Sequence, residues 1–243
     1  MKKIMLIAGC SHAAGSEIDG SGDSLYNRQN SYGNVLAGMM GYTPINIASS
    51  ASANPTIART VLEWFSSEYD SATMEVFPLI SWTESSRIEI PSEHPTSYKD
   101  ANLYADWYAP NDNSFMRINQ GWTGGDPYEK RTIPFYHKFI ATNLTYLEIL
   151  SANIVLQLQY FFKSKQLNYA MCNTMHMFTR NHYTNFFLNQ IDLTHYMDMD
   201  NSDLAFYWKY KNAGYENPKA QYWHHNEVPH TLYANELYKF ING

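Results

Sequence analysis

The feature that most restricts the fold of this chain is a short apolar run at residues 3–8, KIMLIA, which a glycine closes. A run without polar alternation is typical of a strand that is buried on both faces of a parallel sheet. Residues 44–48 and 74–82 also predict strands, and stretches with helical character at 32–40 and 55–65 separate the three strands. This strand–helix–strand order predicts an α/β fold with a parallel sheet.

The rest of the chain fits the same architecture. Residues 133–163 have helical spacing, and residues 167–172 predict a further strand. Stretches at about 84–132 and 176–222 lack periodicity, so we interpret them as irregular insertions. The sequence therefore predicts a single domain over residues 1–243, a three-layer α/β/α sandwich around a parallel sheet of about five strands.

The composition argues against several classes of partner. The chain has 17 Lys and Arg against 23 Asp and Glu, a formal charge of −6, so we expect no nucleic-acid partner held through its phosphates. It contains no run of about eighteen apolar residues, so we expect no membrane partner. Two cysteines cannot form a disulfide framework.

The amino terminus, MKKIMLIAGC, resembles a bacterial lipoprotein signal. Its apolar run has only five residues between Lys3 and Gly9, whereas the core of a signal peptide has about 7–15. We therefore interpret this segment as a buried first strand and expect a cytoplasmic protein.

The first segment that could carry chemistry is Gly9-Cys10-Ser11-His12, directly after the first predicted strand. Ligands of open parallel sheets bind beyond the carboxyl ends of the strands. A serine there becomes a nucleophile only when a base takes its proton, and otherwise the segment is an ordinary turn. Cys10 is either an alternative nucleophile or a buried structural residue. Residues 12–30, rich in small polar residues, predict a loop.

The second segment is HHNEVPH at residues 224–230, at the start of a helix predicted for 226–240. An imidazole at this point is well placed to reach the end of the first strand. The alternatives are a surface histidine cluster and a metal site built from His225, Glu227 and His230. The HExxH spacing of a zinc-protease helix is absent, so we expect no metal.

Four blocks together resemble the SGNH/GDSL hydrolase superfamily, particularly its divergent members from tailed phages. They occur in the order typical of the family and close to the predicted strand ends. They are Gly9-Cys10-Ser11-His12, the segment Asn46–Asn54 with Arg59 beyond it, Ile80-Ser81-Trp82-Thr83, and His224-x-Asn226-x-x-x-His230-x-x-x-Ala234-x-x-Leu237. The resemblance implies the flavodoxin-like sandwich of that family.

The resemblance also implies a set of roles. Ser11 would be the nucleophile and His224 its base, and the oxyanion would be bound by the backbone N–H groups of Ser11 and Ala51 together with Thr83. Asn54 would support this site, and His225 is the alternative base if the alignment is off by one residue. No cofactor is implied, and the expected substrate is a small-molecule or glycan ester.

Three departures from the family pattern bear on activity. Ala51 replaces a glycine, and a backbone donor survives that change without strain where φ is negative. Thr83 replaces an asparagine. Gln221 replaces the aspartate three residues before the histidine, and loss of that charge costs up to about 10⁴ in rate by the serine-protease precedent. A backbone carbonyl could substitute for this aspartate, as could a carboxylate from the preceding loop, namely Asp192, Asp198, Asp200 or Asp203.

The function predicted from these residues is a serine esterase or acyl hydrolase that forms a covalent acyl-serine intermediate. Two alternatives remain: a catalytically weakened or inactive protein of the same fold that binds ligands or builds a virion, and an acyltransferase with the same Ser–His pair. If the chain is phage-encoded, its location is the host cytoplasm or the virion. The aromatic stretches 98–136 and 206–223 could line a carbohydrate groove or serve packing.

Overall fold

The computed structural model describes residues 1–91, 115–118 and 129–243. These parts of the chain contain a parallel sheet, a separate two-stranded hairpin and helices on both faces of the parallel sheet. The strands are β1 (Lys2–Ala8), β2 (Thr43–Asn46), β3 (Met74–Trp82), β4 (Ile88–Pro91), β5 (Phe115–Ile118) and β6 (Ala170–Asn173). The helices are α1 (Ser11–Ala14), α2 (Leu25–Gln29), α3 (Tyr32–Met40), α4 (Asn54–Ser67), α5 (Glu129–Phe139), α6 (Leu144–Ser164), α7 (Asn185–Leu188), α8 (Phe206–Asn212) and α9 (Glu227–Asn242), with a short 3-10 turn at Ser202–Leu204.

The main sheet is parallel, with the strand order β2-β1-β3-β6. β1 lies in its middle, paired with β2 on one side and with β3 on the other. Residues 4–8 of β1 are completely buried, as the unbroken apolar run requires. The predicted α/β class and parallel sheet are confirmed.

The main sheet has four strands within the described parts of the chain, one fewer than predicted. Beyond β6 the chain makes a single parallel bridge between Met171 and Tyr196. Met197 then donates its backbone N–H to the carbonyl of Met171 at 2.9 Å. The next residue, Asp198, has a left-handed backbone conformation with φ of 54°. This conformation ends the extended chain, so the fifth position holds a bridge instead of a strand.

Alternate side chains of β1 enter two separate cores. Ile4 and Leu6 pack against the face covered by α4 and α6, whereas Met5 and Ile7 pack against the face covered by α3 and α9. This alternation follows from the pleat of a strand, which points successive side chains to opposite faces of its sheet. The predicted three-layer α/β/α sandwich is therefore confirmed.

The loop predicted at residues 12–30 is only partly irregular, since α1 and α2 lie within it. α2 begins after Ser24, whose side chain accepts a hydrogen bond from the backbone N–H of Asn27 at 3.1 Å. A serine cap of this kind stabilises even a helix of one or two turns. Sequence periodicity cannot detect so short a helix.

The two predicted insertions differ in content. The first, about 84–132, includes the antiparallel hairpin of β4 and β5, and its residues 92–114 and 119–128 lie outside the described residues. The second, 176–222, contains α7, α8 and the 3-10 turn. Thus short elements of secondary structure interrupt both segments where periodicity predicted none.

In the described parts of the chain, no single helix is both long and apolar enough to cross a membrane. Thr132–Phe139 and Leu144–Ser164 meet that test of length and composition only when taken together, and they are bent by 103° relative to each other.

Candidate active site

Ser11 lies at the carboxyl end of β1, as the first residue of α1. The chain reaches this position through Gly9, where a Cβ atom would lie 2.5 Å from the Cβ of Ala13 and 3.0 Å from the carbonyl oxygen of Ser81. Only glycine lets α1 pack so close to the end of the sheet. Ser11 itself is half-buried.

Cys10, the neighbour of Ser11, is completely buried. Its Sγ lies 3.4 Å from the Oγ1 of Thr174, which follows β6. A buried thiol with a hydroxyl partner is a packing group. These contacts favour the structural interpretation of Cys10 over the alternative of a thiol nucleophile.

His224 is held by a carboxylate that sequence reasoning missed. Its Nδ1 lies 2.6 Å from Oε2 of Glu17, and both side chains are less than one-tenth exposed. Glu17 follows α1 in the chain and has a left-handed backbone conformation with φ of 62°. Its Oε1 accepts the backbone N–H of Gln221 at 2.8 Å, and its Oε2 also accepts that of Tyr222 at 3.0 Å. The loop before α9 therefore wraps around one buried carboxylate.

This contact determines the tautomer of His224. A carboxylate at Nδ1 places the ring proton there and leaves the lone pair on Nε2, the arrangement that a general base requires. Glu17 thus occupies the position expected for a carboxylate at Gln221. The side chain of Gln221 is exposed, and only its backbone contacts Glu17.

The acidic residues predicted as substitutes lie elsewhere. Asp192 binds Lys163 and Asp200 binds Arg180, each at 2.7 Å. Within the described residues, none of Asp192, Asp198, Asp200 and Asp203 forms a hydrogen bond or ion pair with His224. No spacing rule points to Glu17, because it stands in the small-residue loop after the serine and not in the histidine block.

Burial lowers the pKa of His224 from its ordinary value, and the hydrogen bond to Glu17 offsets only part of that decrease. The imidazole is therefore neutral at pH 7 and able to accept a proton. The ring of His12, the residue after Ser11, lies 4.7 Å from that of His224 between centroids. Burial holds the pKa of His12 well below its ordinary value, so this neighbouring ring is neutral as well.

The structure brings the segments of Ser11 and His224 to the same edge of the sheet, through the contact between the His12 and His224 rings. Within the described residues, neither Ser11 Oγ nor His224 Nε2 has a hydrogen-bond partner. A direct bond between the two is therefore not formed in this structure. Hydrogen bonds of this kind often tighten only when substrate binds.

The other two histidines of the C-terminal block have main-chain partners. His225 directs Nδ1 at the carbonyl of Tyr215 (2.7 Å) and Nε2 at that of Tyr207 (3.1 Å), which leaves neither nitrogen free to act as a base. His230 accepts the backbone N–H of Tyr32 on Nδ1 at 3.2 Å, and burial lowers its pKa to about 3. Among the described residues, no group of three or more His, Cys, Asp and Glu is arranged to hold a metal ion.

Ala51 lies in a tight turn a few residues after the end of β2. Its φ is 60°, in the left-handed region. A change from glycine to alanine is free of strain only where φ is negative, so Ala51 does not meet this condition. Ala51 carries a conformational strain of about 1–2 kcal/mol that a glycine would avoid.

Thr83 follows β3 and is completely buried. Asn54 holds its backbone from both sides, since Asn54 Oδ1 accepts the N–H of Thr83 at 3.0 Å and Asn54 Nδ2 donates to its carbonyl at 3.2 Å. The hydroxyl of Thr83 has no hydrogen-bond partner among the described residues. An unpaired buried hydroxyl is costly.

The aromatic stretch 206–223 divides into two parts. Phe206 and Tyr207 are buried and pack around the His12 and His225 rings. Trp223, which precedes His224, is 80% exposed and has a φ of 63°. The first part therefore serves packing, whereas Tyr215, Tyr222 and Trp223 face solvent. Most of the other aromatic stretch, 98–136, lies outside the described residues.

Comparisons with known proteins found structural similarity alone. Neither the protein-family models nor the curated proteins gave a match. The psychrotrophic esterase EstA from Pseudoalteromonas sp. is 12% identical with a TM-score of 0.43, over 100% of this chain and 97% of that one. A G-D-S-L family lipolytic protein from Veillonella parvula is 11% identical with a TM-score of 0.42, over 98% and 97% of the two chains. The acetyl xylan esterase Est2A from Butyrivibrio proteoclasticus is 11% identical with a TM-score of 0.42, over 99% of this chain and 63% of that one.

Proposed function

We propose that this protein is a serine esterase that cleaves small-molecule or glycan esters through an acyl-serine intermediate. The observation that carries the proposal is the buried hydrogen bond between Glu17 and Nδ1 of His224, at the sheet edge where α1 presents Ser11. A nucleophile near a base, with the base oriented by a third group, is the signature of nucleophilic catalysis.

The reaction begins when Ser11 Oγ attacks the ester carbonyl carbon. His224 Nε2 takes the hydroxyl proton as the new C–O bond forms, so the carbonyl oxygen becomes an oxyanion. The hydrogen bond from Nδ1 to Glu17 stabilises the imidazolium that results. When the tetrahedral intermediate collapses, the bond to the leaving alcohol breaks and His224 returns the proton to that oxygen. Water then attacks the acyl-serine while His224 takes its proton. The acyl group leaves as the acid when the bond to Ser11 Oγ breaks and His224 returns the proton to that oxygen.

Three donors are available for the oxyanion. The backbone N–H of Ser11 belongs to the first turn of α1, where N–H groups have no acceptor within the helix. Ala51 supplies a second backbone N–H. The third donor is the hydroxyl of Thr83, which Asn54 keeps in place through the main chain. Each such donor is worth about 10²–10³ in rate.

The alternative of an inactive binding or virion protein depended on the loss of the acid at position 221. Because Glu17 supplies a carboxylate to the same imidazole, this reason for inactivity disappears. An acyltransferase would use the same residues and would differ only in its acceptor. Exposed Tyr222 and Trp223 next to His224 support a substrate with a planar or ring-shaped apolar face.

The proposal is tested by hydrolysis of p-nitrophenyl acetate. We expect Ser11→Ala and His224→Ala each to lower kcat by at least about 10³-fold, and the double variant to lose little more, because residues that act as a unit are not additive. Activity should rise with pH through a pKa below the ordinary 6.5 of histidine, since burial lowers the pKa of His224.

Matched controls are Ser21→Ala and His182→Ala, which replace an exposed serine and an exposed histidine. Both should retain wild-type turnover. Turnover that persists unchanged in Ser11→Ala would show that this serine is not the nucleophile, and the esterase proposal would then fail.

A further inference from the structure

The turn at Ser49–Ser52 has an unfavourable residue at its most demanding position. Ser52 donates its backbone N–H to the carbonyl of Ser49 at 3.3 Å, which closes a four-residue turn. Of the two central residues, Ser50 and Ala51, only Ala51 has a positive φ, at 60°. That combination is typical of a type II turn, which prefers glycine or asparagine at its third position.

A type II turn can relax to type I when its central peptide rotates. In a type I turn the third residue has a φ near −90°, which suits alanine well. The peptide unit is planar and trans, so the carbonyl of Ser50 and the N–H of Ala51 point in opposite directions and must rotate together. Relaxation of this turn would therefore reverse the direction of the Ala51 N–H.

Arg117 holds this peptide from the insertion hairpin. It belongs to β5 and is only 4% exposed. Its Nη1 donates to the carbonyl of Ser50 at 2.8 Å and to the hydroxyl of Ser49 at 2.9 Å. A charged donor makes stronger hydrogen bonds than a neutral one. The contact with Ser50 opposes the rotation that would relieve the strain at Ala51.

We infer that Arg117 is a positioning residue that keeps the Ala51 N–H directed at the oxyanion. The inference rests on the proposed function, because it assigns Arg117 a role in the same site. It also gives the hairpin of β4 and β5 a purpose, since this hairpin carries the arginine to the turn. Arg117 acts through the Ser50–Ala51 peptide and needs no contact with substrate.

The structural test is the crystal structure of Arg117→Met. We expect φ of Ala51 to become negative and the Ser50 carbonyl to point toward the site. A turn that keeps φ near 60° in this variant would overturn the inference, whatever the enzyme's activity. Arg117→Lys, which retains a charged donor, should keep the wild-type turn and serves as the second variant if the first does not fold.

The kinetic test uses p-nitrophenyl acetate. Arg117→Met should lower kcat by about 10²-fold, the value of one oxyanion donor, with KM changed less than threefold and the pH profile unmoved. Arg117→Lys should recover at least a tenth of wild-type kcat. Wild-type kcat in Arg117→Met would overturn the inference.

A double variant separates positioning from a merely structural role. Glycine tolerates a positive φ, so Ala51→Gly removes the strain that drives the peptide to rotate. Arg117→Met combined with Ala51→Gly should therefore regain at least tenfold in kcat over Arg117→Met alone. If Arg117 only stabilises the hairpin, glycine at position 51 rescues nothing, and the inference is wrong.

Arg59→Met is the matched control. Arg59 on α4 also ties the hairpin to the core, through Glu89 of β4 at 2.7 Å, and it lies outside the Ser49–Ser52 turn. We expect this variant to keep wild-type kcat. If wild-type activity depends on Ser11 but Arg117→Met leaves kcat unchanged, only the positioning role is refuted. If the activity does not depend on Ser11, the proposed function is refuted.

Discussion

Glu17→Gln replaces the carboxylate next to His224 by an amide of almost the same shape. Glu17 accepts three N–H groups, from Nδ1 of His224 and from the backbones of Gln221 and Tyr222. A glutamine has one acceptor oxygen, so its NH₂ group must face at least one of these donors at a site that is only 5% exposed. An unsatisfied group there costs about 1–3 kcal/mol in the free energy of unfolding.

The effect on catalysis should be larger. If the NH₂ group faces His224, it donates to Nδ1 and leaves the ring proton on Nε2, where it prevents the ring from acting as a base. The serine-protease precedent for such a change is a loss of about 10⁴ in kcat, which corresponds to about 5.5 kcal/mol in the activation barrier. We expect Glu17→Gln to lower kcat by about 10³–10⁴-fold.

The pH dependence supplies a second readout. Glu17 raises the pKa of His224 through its hydrogen bond and its charge, so the Glu17→Gln substitution should lower the pKa of His224 further. Neutral His224 is the active form. The acid limb of kcat/KM should therefore move to lower pH, while the plateau falls.

The assay is steady-state hydrolysis of p-nitrophenyl acetate from pH 4.5 to 9, with urea unfolding of the same samples. Glu75→Gln is the matched control, because it removes the same charge from an exposed pair with Lys3 near the start of β3, at the opposite edge of the sheet. Glu17→Gln with kcat within tenfold of wild type and an unmoved acid limb would refute the role assigned to Glu17.

Three further predictions concern Thr83, Ala51 and His230. Thr83→Val removes a completely buried hydroxyl that has no partner among the described residues. It should therefore raise the free energy of unfolding by about 1 kcal/mol, while kcat falls by about 10²-fold. A loss of both stability and kcat would contradict the oxyanion role. Ala51→Gly relieves a positive φ and should stabilise the protein by up to about 1 kcal/mol in urea unfolding, whereas Ala37→Gly within α3 should destabilise it by at least about 1 kcal/mol. Burial lowers the pKa of His230 to about 3, so below pH 6.5 the unfolded chain binds a proton that the folded chain does not. This one residue should therefore lower the free energy of unfolding by about 1.4 kcal/mol for each pH unit that the pH drops. His230→Asn, which keeps an acceptor for the N–H of Tyr32, should reduce that slope by one proton between pH 6 and 4, and an unchanged slope would count against a neutral buried His230.

Local patterns determined much of the architecture. The apolar run of β1 predicted a strand buried on both faces, because a strand in the middle of a parallel sheet meets water on neither side. The regular helix α3 and its end at Gly41, which has a φ of 73°, were readable for a similar reason, since a left-handed residue after a helix favours glycine. The number of strands was not readable, because the fifth position is a single bridge at Tyr196.

The sequence by itself determined the α/β class, the order of its main strands and helices, and the positions of Ser11 and His224 as candidates, because each depends on residues that are neighbours along the chain. Only the tertiary structure decided which carboxylate contacts the histidine and which side chain holds the turn at Ser49–Ser52. Glu17 reaches His224 across 207 positions, and Arg117 reaches Ser49 across 68. Neither residue has a periodicity or a spacing relative to its partner, since long-range contacts form only when the sheet and the loops at its carboxyl edge bring distant segments together.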